Sequence, residues 1–343
     1  MNKRTFLILI IIVFIILMTF WIPMQQGTQD TTEIRAAMDI GSGATNLKIA
    51  KVDTKTNKII STLYEESIKV PYQKELELSS NNTFNKDIKA QGIEGIRKLK
   101  LASDNYHVKK VVAVATAAFR QAANAKEFSG EIEKQTGVHV RIINQDEEGI
   151  LAFRGALAVT SYTPDDVVVW DIGGGSMQLT TLTSDGTYHV EKGKTASIPF
   201  KNTIIEEVEQ KDIKQVQSPN PISTADMQMS IQYAAQAADE ASQFIKSKLS
   251  APKTVVLAVG NLFNYGIEPL VNNSNVKEDQ LQTAVLKLAG KTDADINQGS
   301  LSEVAVSNPL LVVGYMQALN ISQVNVVNVN NADGALTNPP YWQ

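Results

Sequence analysis

Residues 36–43, AAMDIGSG, and residues 168–176, VVWDIGGGS, are built alike. In each of them an apolar run ends in an aspartate, Asp39 or Asp171, and glycines follow. This pattern predicts a buried strand and then a sharp reversal of the chain. Apolar residues alternate again after each turn, so the glycines should lie in a hairpin between two strands. Two such units in one chain predict an α/β protein in which a phosphate-binding unit is duplicated and the copies face each other.

The two glycine turns are candidates for gripping a phosphate. Backbone N–H groups exposed on a tight turn point at an anion, and a carboxylate beside them suits a metal ion or a water bound to that anion. Asp39 and Asp171 are therefore the candidate metal ligands. The candidate phosphate-binding residues of the turns are Gly41, Ser42, Gly43, Gly173, Gly174, Gly175 and Ser176.

A third motif, TAAFRQAAN at residues 116–124, follows a predicted strand and opens a helix. This position brings the Thr116 hydroxyl and the Arg120 guanidinium to the same sheet edge as the glycine turns. An arginine suits a phosphate because its planar fork donates hydrogen bonds in pairs. The alternative is an arginine that simply faces solvent on its helix, and the position at the strand end favours the functional interpretation.

Acidic residues open the next predicted helix, at Asp146, Glu147 and Glu148. A carboxylate between the two units could accept a proton from a water that attacks a phosphoryl group. Acids in a first helical turn also complement the helix dipole, so these residues could equally be helix starters. The residue pattern alone leaves both interpretations open.

The composition excludes several classes of site. The chain has 343 residues, 43% of them hydrophobic and 20% charged, which is typical of a globular protein with more than one hydrophobic core. It has no cysteine, which removes disulfides, thiol nucleophiles and zinc–cysteine sites, and its three histidines share no ligand spacing. A net charge of −4 without a basic stripe argues against nucleic-acid binding.

The N-terminus carries an apolar run, Phe6–Ile22, after Lys3 and Arg4. The run is at the short edge for a spanning helix and slightly long for the core of a signal peptide. Bulky residues follow it in place of a small-residue cleavage site, and Trp21 suits the membrane interface. The sequence thus favours a single-pass anchor in the cytoplasmic membrane over a cleaved signal that leaves a secreted or periplasmic protein. Both interpretations place the globular part outside the cytoplasm.

The hydrophobic pattern predicts three parts: an anchor and tether at residues 1–35, a first domain at 36–149 and a second at 150–343. Strands are predicted at 36–52 and 166–183, each interrupted by its glycine turn, and at 58–70, 110–115, 138–143, 187–192, 254–259 and 324–329. Helices are predicted at 87–104, 116–128, 147–159, 227–249, 278–288 and 309–319, and a loop at 75–85.

The motifs, taken in order, resemble those of the exopolyphosphatase/guanosine pentaphosphate phosphohydrolase (Ppx/GppA) family, within the superfamily of actin, sugar kinases and heat-shock chaperones. The resemblance covers Ala36 to Leu336, and its specific parts are residues 39–42, 116–124, 147–148 and 171–176. It implies an actin-like ATPase (ribonuclease H-like) duplicated fold with an interdomain cleft, in the short two-domain form of the family.

The resemblance also implies a chemistry: removal of terminal phosphate from polyphosphate or from a guanosine pentaphosphate, with Mg²⁺. By position, Glu148 would be the base that deprotonates water, Asp39 and Asp171 would hold the metal or position that water, and the glycine turns with Arg120 would grip the phosphate. Outside the cytoplasm nucleotide alarmones should be scarce, so inorganic polyphosphate is the favoured substrate. Whether the chain forms a homodimer stays open.

The chain departs from the family pattern at several positions. A glutamate of the family is Gln178 here, which cannot hold Mg²⁺ or take a proton as a carboxylate does. The other departures are Gly149, Ile150, Asn261-Leu262-Phe263 in place of a glycine turn, and Ala332-Asp333 before Gly334. Because of these changes, an inactive protein that binds or senses phosphate stays an alternative function. The missing late glycine turn argues against a third function, that of a kinase or chaperone.

Overall fold

The computed structural model describes residues 31–343, and residues Glu33–Gln343 form one compact unit. The predicted anchor, Phe6–Ile22, lies outside the described residues. Within residues 31–343 every helix is too short or too polar to cross a membrane.

The first sheet contains the first glycine turn. Its strand order is β3-β2-β1-β4-β5, with β1 at Thr32–Ile40, β2 at Ala44–Asp53, β3 at Lys58–Lys69, β4 at Val111–Ala115 and β5 at Val140–Ile142. Strand β4 runs parallel to β1 and to β5, while β3 is antiparallel to β2. Asp39 is therefore the last residue but one of the central strand, between a hairpin on one side and parallel strands on the other.

The second sheet repeats this plan around the second glycine turn. Its order is β10-β11-β9-β6-β7-β8, with β6 at Val167–Ile172, β7 at Met177–Leu182, β8 at Tyr188–Lys192, β9 at Val255–Val259, β10 at Asn275–Lys277 and β11 at Gln323–Val326. Strand β6, which ends with Asp171 and Ile172, is antiparallel to β7 and parallel to β9. The predicted duplication of a strand, turn and strand beside parallel strands is confirmed.

Helices cover both sheets. In the first half they are α1 (Tyr72–Leu78), α2 (Lys86–Asp104), α3 (Ala117–Gln121), α4 (Ala125–Thr136) and α5 (Gln145–Val159). In the second half they are α6 (Ser197–Thr203), α7 (Thr224–Asp239), α8 (Gln243–Leu249), α9 (Glu268–Val271), α10 (Glu278–Leu286), α11 (Asp293–Ile296), α12 (Ser307–Ala318) and α13 (Asn331–Thr337).

Helix α5 is buried on two faces, which explains its apolar composition. Leu151 packs with the inner face of the first sheet and with α13, while Phe153 and Ala156 pack with the second sheet. The C-terminal helix α13 thus contacts the first sheet although it follows the second in sequence. The division into domains at 36–149 and 150–343 stays a prediction.

Several predicted elements are wrong in detail. Residues 75–78, predicted as loop, belong to α1, because Tyr72 and Leu76 bury one face of that short helix against the first sheet. The single helix predicted at 227–249 breaks before Ser242, whose side chain accepts from the Ile245 amide and starts α8. The helix predicted at 116–128 is two helices, α3 and α4, and the last strand ends at Val326, short of residue 329.

The pattern also missed helical segments. Helix α6 continues into a π-helical turn at Ile204–Val208, and a second such turn at Leu262–Ile267 leads into α9. Helix α13, at Asn331–Thr337, was not predicted. Its signal is the pair Asn330 and Asp333, which forms a capping box at its start.

Candidate active site

The two glycine turns lie in contact with each other. A Cβ atom added to Gly174 would be 2.7 Å from the Cβ of Ser42, and one added to Gly175 would be 2.6 Å from Oε1 of Gln73 and 3.1 Å from Cβ of Ala117. Only glycine fits at this approach. The structure thus brings together the turns that the sequence singled out and adds Gln73, which the sequence analysis missed.

The turns share a hydrogen-bonding pattern. The amide of Gly41 donates to the carbonyl of Ala44 at 2.9 Å, and the amide of Gly173 donates to the carbonyl of Ser176 at 2.8 Å. The next carbonyls accept from the first turns of nearby helices: Ser42 from the Gln73 amide at 2.9 Å and Gly174 from the Ile198 amide at 3.0 Å.

The remaining N–H groups of the turns are available to an anion. The amides of Ser42, Gly43, Gly174 and Gly175 have no hydrogen-bond partner within residues 31–343. The carbonyls of these turns already accept hydrogen bonds from other backbone amides, so each turn presents N–H donors and few acceptors to a ligand. This is the arrangement of an anion-binding nest.

Three buried carboxylates lie within electrostatic reach of one another: Asp39, Glu148 and Asp171. Burial, followed by the charge of Glu148, raises the pKa of Asp39 to about 7. Burial also raises the pKa of Asp171 well above its usual value, and the charges of Glu148 and Asp39 add to that effect. Carboxylates raise one another's pKa only when they lie close together, so the structure brings these three acids into one region, as the sequence analysis expected.

Glu148 is paired with Arg120. Nη2 of Arg120 lies 2.7 Å from Oε2 of Glu148, and Nη1 donates to the carbonyl of Ile143 at 3.1 Å. Burial raises the pKa of Glu148, and the adjacent guanidinium opposes that rise. The arginine expected to grip a phosphate is therefore also the counter-ion of the expected base.

Two further donors hold Glu148. The Ser176 hydroxyl lies 3.2 Å and 3.1 Å from its two carboxylate oxygens, and Nε2 of Gln178 donates to Oε2 at 3.3 Å. Glu148 is thus oriented from the second glycine turn and from strand β7, and Ser176 contributes its hydroxyl to the carboxylate and its backbone carbonyl to the turn. Thr116, the remaining predicted residue, is buried at the end of β4, where its carbonyl accepts from the Arg120 amide at 3.0 Å.

Gln178 lies directly across the strand pair from Asp171. It is fully buried, and its Oε1 atom has no hydrogen-bond partner within residues 31–343. A glutamate at this position would bring a fourth carboxylate to the group, at a cost in desolvation and repulsion. The amide avoids that cost while still donating to Glu148.

Gly149 also departs from the family pattern, and the side chains packed around it leave room only for glycine. A Cβ atom at this position would lie 2.5 Å from Oγ1 of Thr180 and 2.8 Å from Cγ1 of Val190. The side chains of Thr180 on β7 and Val190 on β8 therefore occupy the space that the methyl group of an alanine would need.

The donor set fits a cation that is shared with a phosphate. Oδ1 of Asp39 is buried without a partner within residues 31–343, as an oxygen awaiting a cation or water would be. No group of three or more His, Asp or Glu side chains in that part of the chain forms a cation cage. Mg²⁺ is commonly held by one or two carboxylates together with phosphate oxygens and waters, and Asp39 with Asp171 could supply those carboxylates. Their assignment as metal ligands stays a prediction.

The structure adds residues around Asp39 that the sequence analysis missed. The side chain of Asn46 and the backbone N–H of Asn331 lie near enough to the carboxylate to lower its pKa. Lys48 and Asp333 form a buried ion pair close by. A signal for Lys48 existed, since it is a charged residue flanked by the apolar Leu47 and Ile49, but its partner lies at the other end of the chain.

Comparisons with known proteins show which family and fold this chain shares. One curated relative is the bifunctional 3-dehydroquinate synthase/phosphatase of Fusobacterium nucleatum, 29% identical in an alignment 157 residues long that covers 43% of this chain. The match spans only 23% of the length of that relative.

Solved structures share the fold. The PPX-GPPA enzyme of Aquifex aeolicus superposes with a TM-score of 0.69 at 18% identity, covering 89% of this chain and 99% of its own. An exopolyphosphatase from Cytophaga hutchinsonii superposes with a TM-score of 0.69 at 15% identity, covering 89% of this chain and 96% of its own. These likenesses confirm the actin-like α/β fold. Residues 48–329 match the Ppx/GppA phosphatase family, and the chain belongs to that family.

Proposed function

We propose that this protein is a phosphohydrolase that releases terminal phosphate from inorganic polyphosphate. The observation that carries the proposal is the contact between two anion-binding glycine turns beside a buried, hydrogen-bonded Glu148. Family membership supports the reaction type. Relatives named as an exopolyphosphatase and as a synthase/phosphatase support phosphate ester or anhydride chemistry in general.

In the proposed reaction the free amides of both turns bind the terminal phosphate. Glu148 accepts a proton from a water whose oxygen attacks the terminal phosphorus, and the bridging P–O bond breaks to leave the shortened chain. Arg120 and Ser176 favour the ionised form of the Glu148 carboxylate against the effect of burial, and they orient it. A Mg²⁺ ion held by Asp39 and Asp171 would supply neutralisation of the phosphate charge.

The test is phosphate release from polyphosphate by the full chain, purified in detergent with Mg²⁺. Glu148→Gln should lower kcat by about 10²- to 10⁴-fold, the usual effect of losing a positioned base. Glu147→Gln is the matched control, because Glu147 is the neighbouring acid of the same helical turn and serves only the capping box and Arg141. It should keep the rate within about threefold. Wild-type release no faster than that of Glu148→Gln would overturn the proposal.

A second candidate is a protein that binds phosphate chains without turnover. It is favoured by the hydrogen bonds on both Glu148 oxygens and by the neutral Gln178, which leave the base less free to take a proton. In that case polyphosphate should raise the Tm of wild type and of Glu148→Gln alike, without any release of phosphate. Arg120→Ala should abolish that shift.

We also propose that Phe6–Ile22 anchors the protein in the cytoplasmic membrane with the globular part outside. The apolar run itself supports this, and the location favours polyphosphate over guanosine pentaphosphate as substrate. Externally added protease should digest the globular part in intact spheroplasts while it spares a cytoplasmic marker. Protection from the protease until the membrane is permeabilised would contradict the proposal.

A further inference from the structure

Lys48 and Asp333 form a buried ion pair that the proposed chemistry does not use. Nζ of Lys48, on strand β2, lies 2.9 Å and 3.1 Å from the two carboxylate oxygens of Asp333, on helix α13. The residues are 7% and 1% exposed. Burying two charges carries a desolvation penalty that a hydrophobic pair avoids, so such a pair is better explained by the geometry that it fixes than by stability.

Asp333 also ties the first turn of its own helix. Its Oδ2 accepts from the amide of Asn330 at 2.9 Å, and the side chain of Asn330 accepts from the Ala332 amide at 2.9 Å. One carboxylate therefore bonds to the start of α13 and to a strand of the first sheet at once. The pair fixes where α13 begins on that sheet.

The start of α13 lies against both parts of the candidate site. Ala332 of α13 packs in one hydrophobic cluster with Ala37 of the strand that carries Asp39, and the backbone N–H of Asn331 lies near enough to the Asp39 carboxylate to lower its pKa. On the other side, a Cβ atom at Gly334 would be only 2.0 Å from the carbonyl oxygen of Leu151, one turn after Glu148 on α5. A Cβ atom at Gly155 would be 3.1 Å from the Cβ of Asp333. The first turn of α13 is wedged between the Asp39 strand and the helix that carries Glu148.

We propose that Lys48 and Asp333 are positioning residues that set the distance between Asp39 and Glu148 by fixing the start of α13. The pair touches no reacting group and acts through Asn331 and Gly334. The expected effect on hydrolysis rests on the proposed function, whereas the expected effect on the local structure does not.

The other end of α13 offers a matched control. Nη1 of Arg35, on strand β1, donates to the carbonyl of Leu336 at 2.8 Å, and its guanidinium lies 4.7 Å from the ring of Trp342. Arg35 is 5% exposed, so it is as buried as Lys48 and holds the same helix to the same sheet. It differs in that it acts at the end of α13 away from Asp39.

The experiment compares the double variant K48M/D333N with R35M, both in the full chain in detergent. The double variant removes the ion pair without leaving a buried charge alone, because the second partner of Lys48, Glu65 at 3.4 Å, is exposed. The asparagine of the double variant can still accept from Asn330. Hydrogen exchange measured by mass spectrometry should become at least tenfold faster at residues 329–334 and at the start of α5 in K48M/D333N. In R35M the faster exchange should be confined to residues 335–343.

Kinetics provide the second readout. K48M/D333N should lower kcat by about 10- to 100-fold, as misplacement by about an ångström does, with KM within about threefold. R35M should keep kcat within about twofold at a similar loss of Tm, and K48R, which retains the cation, should recover most of the wild-type kcat.

Three results would overturn the inference: unchanged exchange at 329–334 in the double variant, equal losses of kcat in both variants for equal losses of Tm, or a K48R variant as slow as the double variant. A wild-type chain that releases no phosphate would overturn the proposed function instead. The exchange pattern alone would then decide the inference.

Discussion

Arg120 and Glu148 have roles that depend on each other. The guanidinium contacts a Glu148 oxygen at 2.7 Å and the Ile143 carbonyl at 3.1 Å, so its fork is held in one orientation. In this orientation it stabilises the carboxylate form of Glu148, which is the form that a base needs. A phosphate bound at the turns would share the same guanidinium.

Arg120→Lys should lower kcat/KM by about 10- to 100-fold, because an ammonium cannot make both contacts of the planar fork. The measurement is the rate of phosphate release at several substrate concentrations. Arg141→Lys is the control, since Arg141 pairs with the adjacent Glu147 at the surface. Equal rates for wild type and Arg120→Lys would contradict the assigned role.

The buried acids predict how stability depends on pH. Asp39 has a usual pKa of 3.8 when unfolded and about 7 when folded, so the folded state holds the proton more tightly. Its contribution to stability is therefore fully present below about pH 4 and is lost as the pH rises through about 7, at roughly 1.4 kcal/mol per pKa unit. The raised pKa values of Asp171 and Glu148 act in the same direction.

Urea unfolding in EDTA should accordingly show a lower free energy of unfolding at pH 8 than at pH 5. Asp39→Asn should remove part of that difference, while Asp146→Asn, at an exposed acid of α5, should leave it unchanged. A pH slope that is identical in wild type and Asp39→Asn would contradict the raised pKa of Asp39.

Helix α13 and helix α5 are packed through glycine. Gly334 is buried so close to Leu151 that no side chain fits, and Gly155 of α5 faces the same crossing. The apolar residues of α13, Ala332 and Ala335, fill the space above the first sheet. The short helix α13 thus packs directly on the first sheet. It is also held there by hydrogen bonds from the side chains of Lys48 and Arg35.

Gly334→Ala should destabilise the chain by about 1–3 kcal/mol or more, because the added methyl group must push α13 off α5. The matched control is Gly130→Ala in helix α4, where nothing lies within 4 Å of the added Cβ. That control should stabilise by about 0.5–1 kcal/mol through helix propensity. Chemical denaturation of both variants checks the prediction, and equal effects would show that the crossing has room.

Across the whole molecule, polar contacts join α1 and the end of strand β3 to the segment around α6 and residues 299–304. Nζ of Lys74 lies 2.8 Å from Oε2 of Glu303, Nζ of Lys69 donates to Ser300 at 2.7 Å, and Asn202 donates to Glu77. These contacts lie just beyond the two glycine turns, since α1 and α6 each donate an amide to a turn. They connect the first sheet's helices to those of the second.

Glu303→Lys should loosen this connection, whereas the swapped pair Lys74→Glu with Glu303→Lys should restore it. Because a partly exposed ion pair is worth only about 0–1 kcal/mol, Tm should hardly change. Hydrogen exchange at Gln73 and Ile198, whose amides donate to the turn carbonyls, should instead become faster in the single variant and return towards wild type in the swap. An unchanged exchange rate in the single variant would show that the contact does not restrain the turns.

The amino-acid sequence by itself determined the two hairpins that carry Asp39 and Asp171, because apolar runs and glycine turns act over a few neighbouring residues. It also indicated the family and most strands and helices. Tertiary structure alone decided that α1 is a helix, that Arg120 pairs with Glu148, and that Lys48 meets Asp333. The reason is physical: α1 is held by burial of its inner face, and each ion pair joins residues that only the packed sheets and helices bring within a hydrogen bond.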